Sequence, residues 1–389
     1  VSGGRAPSLR SAIATLLPIA AVAFVPSGTR PSGGDSLNGE PSAHRVRICA
    51  GGDVTLGTNL DTTWTKRMSE WLGRPVEAVP NADPLLRPLR SMVADADVVL
   101  LNIEGAIGSG PVEKPKCAPD AIGCFALRQP PATAVALRRL APRAQVVGNL
   151  ANNHARDAGA EGFELTLSLL RRAGVHVTGV DTLATPVVTR GGDTVAFLGF
   201  STSTGPDPRD LDAVRRHVAR AAARYPLLVV TMHLGAEGRM AQRTRDTMEV
   251  YLEERRGNPV AFAHAAADAG AMLVVGHGPH VVRALEWRNQ SLIAYSLGNL
   301  VTYGPFSLRS PLDRGALLCA EVDAESGVES AELRPTRQRA PGRVSHDQRG
   351  RAGIIADSLS RLDFPDSGAV LVRGGKGFEV KRSATNAGP

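Results

Sequence analysis

The chain is 389 residues long, 43% hydrophobic and 4% aromatic, with a net charge of +7 at pH 7. This is enough apolar material for one large domain or two ordinary ones and excludes a wholly disordered chain. The scarce aromatics argue against recognition by base or sugar stacking. The positive charge suits an anionic partner, and it suits equally a chain that uses scattered Arg residues freely.

The N-terminus reads as a targeting segment. Arg5 and Arg10 precede an apolar run from Ala12 to Val25, and Ala21, Val22 and Ala23 form a small-residue cleavage pattern. An uncleaved anchor is the alternative. Residues 26–42, rich in Gly, Ser and Pro, read as a flexible linker. The expected organisation is therefore an export signal and linker over 1–43, a main domain over 44–335 and a C-terminal extension over 336–389.

From Val46 onward short apolar runs alternate with helical stretches. The runs are Val46–Ala50, Asp97–Leu101, Gln145–Val147, Thr194–Phe200, Leu227–Thr231, Met272–Val275 and Leu292–Tyr295. They read as strands buried on both faces. The clearest helices are Gly162–Ala173, stopped by Gly174, and Pro259–Ala269, stopped by Gly270. Ala316–Val322 and Ser330–Arg334 read as an antiparallel pair, and Gly353–Leu362 as a helix. Gln338–Arg351 is polar and basic without a period, and the stretch past Arg382 reads as a frayed tail. The alternation predicts an α/β domain with helices covering a sheet. Cys117 and Cys124 flank a short loop and suit a disulfide in an exported protein. Cys49 and Cys319, inside apolar runs, read as buried free thiols.

Residues suited to metal binding follow the apolar runs directly. Asp53 follows the first, Glu104 the second, and Asn152, Asn153 and His154 the third. His233 follows Leu227–Thr231, and His277 and His280 follow Met272–Val275. In α/β sheets the ligand crevice lies beyond the carboxyl ends of the strands. A lone Asp there is more often a turn former, and a lone His more often a satisfied core residue. Their joint placement carries the reading. Carboxylate and imidazole together suit one or two divalent ions such as manganese, iron or zinc, which activate water and clamp a phosphoryl group.

The segments Gly52-Asp53-Val54, Asn102-Ile103-Glu104, Ala151-Asn152-Asn153-His154 with Asp157 and Gly159, His233-Leu234-Gly235-Ala236-Glu237, Gly276-His277-Gly278-Pro279-His280-Val281 and Tyr295-Ser296-Leu297-Gly298-Asn299 are collinear. In these the chain resembles the capsule-synthesis proteins of the CapA type, associated with poly-γ-glutamate. That family is similar in turn to calcineurin-like phosphoesterases. The resemblance implies a calcineurin-like α/β fold, two sheets forming a sandwich flanked by helices, with a metal site at the strand ends. It assigns Asp53, Glu104, Asn153, His233, His277 and His280 to the metal and His154 to general acid catalysis. Asn152, Glu237 and Asn299 would orient the ligands. The chain departs from the phosphoesterase pattern at Thr55, where a His is usual, at Glu104 in place of Asp, and at the two residues between His277 and His280.

The function expected is a metal-dependent, phosphoesterase-like hydrolase of capsule biosynthesis, exported or membrane-anchored. Its partners would be an anionic cell-surface polymer and other capsule-synthesis proteins at the membrane. Arg128, Lys114 and Lys116 are candidates to contact polymer carboxylates. The alternative is a non-catalytic component that binds or exports the polymer. Nucleic acid is not expected as a partner.

Overall fold

The computed structural model describes residues 45–59, 66–67, 69–70, 73, 81–110, 112, 116–118, 124–304 and 307–383. The targeting segment, the linker, Lys114 and the tail beyond Ser383 lie outside these. Among the described residues no helix is long and apolar enough to cross a membrane.

The architecture is mixed α/β. The first sheet is centred on Val46–Thr55, which pairs in parallel with Val98–Ile103 and antiparallel with Arg314–Asp323. Gln145–Asn149 and His176–Thr178 extend it on one side in parallel, and Gly327–Arg339 extends it on the other. Asn299–Thr302 lies alongside the carboxyl end of Val46–Thr55. The second sheet holds Thr194–Ser201, Leu227–His233, Leu273–His277 and Ser291–Ala294 side by side and parallel. Each of these strands lacks alternation because each is covered on both faces.

That coverage is layered. Val46, Ile48, Ala50, Val98 and Leu100 of the first sheet pack against Val195, Phe197, Val229, Leu273 and Val275 of the second. Cys49, Val99, Leu101 and Val146, pointing the other way, meet Leu137, Leu140, Phe163, Leu167 and Leu170 from the helices Ala132–Leu140 and Gly159–Arg172. The outer face of the second sheet, with Leu198, Leu228, Val230 and Val274, meets Val214, Val218, Phe262 and Ala266 from Leu211–Ala222 and Pro259–Asp268.

All seven apolar runs form strands, and both helices form. The structure carries several strands further than the apolar residues do. Val46–Thr55 continues through Gly51 and Gly52 because that stretch stays buried, with Gly51 paired to Leu317 and the parallel pairing to Val98–Ile103 resuming at Asp53 after an irregularity. His233 and His277 close their strands as direct parallel partners, so the histidines belong to the sheet. The antiparallel pair is Arg314–Asp323 with Gly327–Arg339. The aperiodic stretch after Gln338 contains the short strand Arg343–His346, which folds back on Thr336–Arg339. The last helix is Arg351–Asp363, with Ala352 and Ala356 in the layer between the sheets. The hairpin of Val370–Gly374 and Gly377–Lys381 adds to the edge of the first sheet.

The cysteines require one correction. Cys117 and Cys124 are bonded as expected, but Cys49 and Cys319 are not free thiols: they form a second disulfide. The two residues are direct cross-strand neighbours, with Cα atoms 4.0 Å apart. Their separation of 270 residues hides that adjacency from the sequence.

Candidate metal centre

The carboxyl ends of strands from both sheets converge on one buried polar cluster. Asp53 reaches it because the chain narrows to Gly51-Gly52 just before. A Cβ on Gly52 would lie 1.9 Å from Gly298 O, so only glycine lets the Ser296–Asn299 turn approach. The Asp53 N–H donates to that same Gly298 carbonyl at 3.0 Å.

Asp53 Oδ1 accepts a hydrogen bond from Asn102 Nδ2 at 2.8 Å and lies 3.6 Å from His277 Nδ1. Asp53 Oδ2 accepts from His280 Nδ1 at 3.0 Å. On the far side of that ring, His280 Nε2 is 3.7 Å from both Glu104 Oε1 and Glu237 Oε2. His233 Nε2 is 3.8 Å from Glu104 Oε1. Asp53, Glu104 and His280 each present a donor atom within 4.8 Å of the others, a triad able to hold a cation. His280 adopts φ +59°, a left-handed conformation uncommon for a residue with a Cβ, which turns its ring back toward the carboxylates.

Asn102 is the hub beneath. Its nitrogen serves Asp53 and lies 3.3 Å from His233 Nδ1, while its oxygen accepts from Asn149 at 3.0 Å and Asn152 at 3.2 Å. Asn152 also donates to Ile103 O and accepts from the His154 N–H, fixing the loop that carries His154. His154 Nδ1 lies 2.5 Å from Asp157 Oδ2, and Lys116 Nζ reaches Asp157 Oδ1 at 2.8 Å. Glu237 is held by Arg256 at 2.9 Å. Asn299 offers Oδ1 to His280 at 3.1 Å and donates Nδ2 to Leu312 O.

The electrostatics follow from burial and neighbours. Burial works to raise the Asp53 pKa, but His277 and His280 outweigh it and hold the carboxylate well below its usual range. Burial pushes Glu104 well above its ordinary value, reinforced by Asp53 and Glu237 and opposed by His280. Burial would lower His280, yet Glu104, Asp53 and Glu237 override it and raise the imidazole to about 10. Burial drives His233 well below 6.5 and lowers His154 as well.

The donor set fits a divalent cation on independent grounds. Both carboxylate oxygens of Glu104, both ring nitrogens of His277, His233 Nε2 and Asn153 Oδ1 are buried without a hydrogen-bond partner. Buried polar atoms are ordinarily satisfied, and the orphans of Glu104, His233 and His277, which lie in the same cluster as Asp53, suit a cation.

The structure thus brings together Asp53, Glu104, His233, Glu237, His277, His280 and Asn299, with Asn152, Asn153 and His154 on the adjoining loop. It does not bring Arg128 into this cluster. Arg128 donates to Gly110 O at 2.6 Å and lines a cavity of about 600 Å³ with Ile107, Glu161 and Leu165. The residues that sequence reasoning passed over are Asn102, Asn149, Asp157 and Arg256. Asn102 and Asp157 stood inside the collinear motifs, and a buried amide at a strand end was the available signal for the first.

The family described as bacterial capsule synthesis protein PGA_cap matches residues 47–303, a span that contains the whole cluster. The chain belongs to this family. Among curated relatives of the PGA_cap chain, the PGA biosynthesis protein CapA of Bacillus subtilis (strain 168) is 29% identical over 39% of this chain and 41% of its own length. The capsule biosynthesis protein CapA of Bacillus anthracis is 30% identical over 39% of each. The chain thus spans about two-fifths of the length of these two relatives. A probable polyglutamine synthesis accessory protein of Mycobacterium tuberculosis (strain ATCC 25618 / H37Rv) is 29% identical over 75% of this chain and 84% of its own length. Among solved structures, GAP50, the anchor in the inner membrane complex of Plasmodium, is 10% identical with a TM-score of 0.33, covering 74% of this chain and 88% of that one. TT1561 of Thermus thermophilus is 10% identical with a TM-score of 0.31, covering 72% and 99%.

Proposed function

We propose that this PGA_cap chain is a metal-dependent hydrolase of capsule biosynthesis, acting outside the cytoplasm on an anionic polymer such as poly-γ-glutamate. In this reading the two packed sheets are a calcineurin-like phosphoesterase scaffold. The observation that carries it is the set of partnerless buried ligand atoms on Glu104, His233 and His277, gathered around the Asp53–Glu104–His280 triad.

Asp53, Glu104 and His280 would hold the first ion, with His277, His233 and Asn153 completing the shell or binding a second. A bound ion of manganese, iron or zinc supplies Lewis acidity toward a substrate oxygen. The chain's own residues do the remainder. Asn102 holds Asp53 in place, and Arg256 aims Glu237. His154 has Nδ1 committed to Asp157, so it exchanges a proton with the reacting group through Nε2. Lys116 pairs with Asp157 at 2.8 Å and, in this reading, would offer its charge to an incoming carboxylate.

A second reading, polymer binding without turnover, is favoured by Thr55. In place of an imidazole, this residue uses its hydroxyl to donate to Glu104 O at 2.8 Å, so one bracing bond replaces one ligand. Elemental analysis combined with turnover of a generic phosphoester separates the two. The hydrolase reading expects stoichiometric metal, with activity lost in Asp53→Ala and His233→Ala. Protein that stays metal-free after reconstitution overturns it, and full capsule function from both variants in cells establishes the binding role.

A further inference from the structure

Arg337, Arg339 and Arg343 sit on the Thr336–His346 hairpin at the site end of the first sheet. Gly327–Arg339 runs antiparallel to Arg314–Asp323, which runs antiparallel to Val46–Thr55. Two reversals make Gly327–Arg339 parallel to the strand of Asp53, so its carboxyl end arrives at the edge where the cluster lies. The contacts agree. Gln338, between two of the arginines, accepts from Thr302 N–H at 2.7 Å and donates to Asn299 O at 3.1 Å. Asn299 is the residue whose side chain meets His280. The turn of the hairpin is seated just past the end of Asn299–Thr302, with the Gly304 N–H donating to Pro341 O.

The face is set by alternation. Ala331 and Leu333 belong to the layer between the two sheets. Pairing continues without a register shift from Ser330 to Arg337 and from Thr336 to Arg339, so Arg337 and Arg339 share the face of Ala331 and Leu333. Val344, opposite Gln338, packs in the outer layer, which places Arg343 on the inner face as well. That is the face from which Asp53 meets the histidines of the second sheet. The inner face is apolar where the second sheet covers it and arginine-lined where it emerges at the rim.

The pairing is costly unless it serves something. Arg339 and Arg343 are direct cross-strand partners, and like charges so placed repel. Both are exposed, as is Arg309 in the adjoining turn whose Leu312 carbonyl accepts from Asn299. Arg337 has Asp313 at 3.4 Å. Among the described residues, Arg309, Arg339 and Arg343 have no carboxylate partner.

We propose that Arg309, Arg339 and Arg343 form a binding strip for a polycarboxylate chain, which lies along the hairpin and leads to the cluster under the second sheet. The guanidinium fork matches a carboxylate with two parallel bonds, and a repeating acid relieves the repulsion of the arginine pair. The inference rests on the reading that this site handles an acidic polymer, and it adds the surface that would hold that polymer.

The test measures binding of a short poly-γ-glutamate oligomer, with polyphosphate as comparator, to the metal-loaded protein at two salt concentrations. The triple variant Arg309→Gln, Arg339→Gln, Arg343→Gln is expected to bind polyglutamate about tenfold more weakly and with a shallower salt dependence, with metal content unchanged. Arg339→Glu, which turns the like-charge pair into an ion pair, is expected to keep or raise the melting temperature while weakening polyglutamate binding. Unchanged affinity and salt dependence in the triple variant overturn the strip, as does binding of polyphosphate without polyglutamate. Asp53→Asn separates this inference from the hydrolase. Loss of the ion with arginine-dependent polymer binding intact leaves the strip standing, whichever way the turnover assay falls.

Discussion

Asn102 donates its side-chain amide to Asp53 Oδ1 at 2.8 Å, and the carbonyl of the same side chain accepts from two further asparagines. Asp53 is therefore oriented by a fully buried group that is itself pinned from below. Removing that group in Asn102→Ala takes one acceptor from each of the buried amides of Asn149 and Asn152, which keep only Ala151 O and Ile103 O. The expected cost is about 2–4 kcal/mol, measured by urea denaturation. Metal affinity falls with it, because the carboxylate loses its orientation. A variant as stable as the parent would show that the hub is dispensable.

Metal loading is expected to release protons. His280 is raised to about 10 by the carboxylates around it, so it is an imidazolium at neutral pH when no ion is present. A cation must displace that proton, and apparent affinity rises with pH up to about 10. Calorimetry in buffers of differing ionisation enthalpy reads the proton count directly, and pH-independent binding contradicts the assignment of His280. The folding linkage has the same origin. A raised folded pKa gives stabilisation that is complete below the unfolded value near 6.5 and fades as pH climbs through 10.

The disulfide between Cys49 and Cys319 closes a long loop, and such cross-links stabilise chiefly by restricting the unfolded chain. The double variant Cys49→Ala, Cys319→Ala is expected to lose about 2–5 kcal/mol. The urea midpoint of the parent should fall similarly in strong reductant. Equal midpoints with and without reductant argue that the bond contributes little.

Arg283 is buried and grips Glu249 with both terminal nitrogens, at 2.9 and 2.8 Å, while donating to Ala241 O. Glu249 in turn accepts from the Ala236 N–H, next to Glu237. Arg283→Met leaves Glu249 without its cation, at a cost of about 3 kcal/mol. Amide exchange over 249–257 is expected to quicken more than exchange in the sheets. Uniform protection across the chain would sink this account of the hairpin formed by Glu249–Tyr251 and Glu254–Gly257.

The strands were legible because burial on both faces leaves unbroken apolar runs, and the gathering of the candidate residues because they follow those runs one after another. The pairing of Cys49 with Cys319 was not legible, since it depends on which distant strand lies beside Val46–Thr55. The Glu249–Tyr251 and Glu254–Gly257 hairpin gave no signal either. Its strands are three and four residues long and mix exposed with buried, charged with apolar positions, and Arg283 anchors it through Glu249 rather than through an apolar stripe. The Gln338–Arg351 stretch lacked a period because it turns twice and packs only one face, through Val344. Arg128 is a basic residue beside a motif whose direction no spacing could give.

The Cys49–Cys319 bond also changes what a break in the backbone can do. Every cluster residue from Asp53 to Asn299 lies inside the covalent ring that it closes. A protease cutting an exposed loop between those cysteines opens the ring but liberates no fragment. Both pieces stay tethered through the centre of the first sheet, and the severed chain keeps its strand carrying Asp53 next to its neighbour. A protein nicked this way would run as two bands only after reduction.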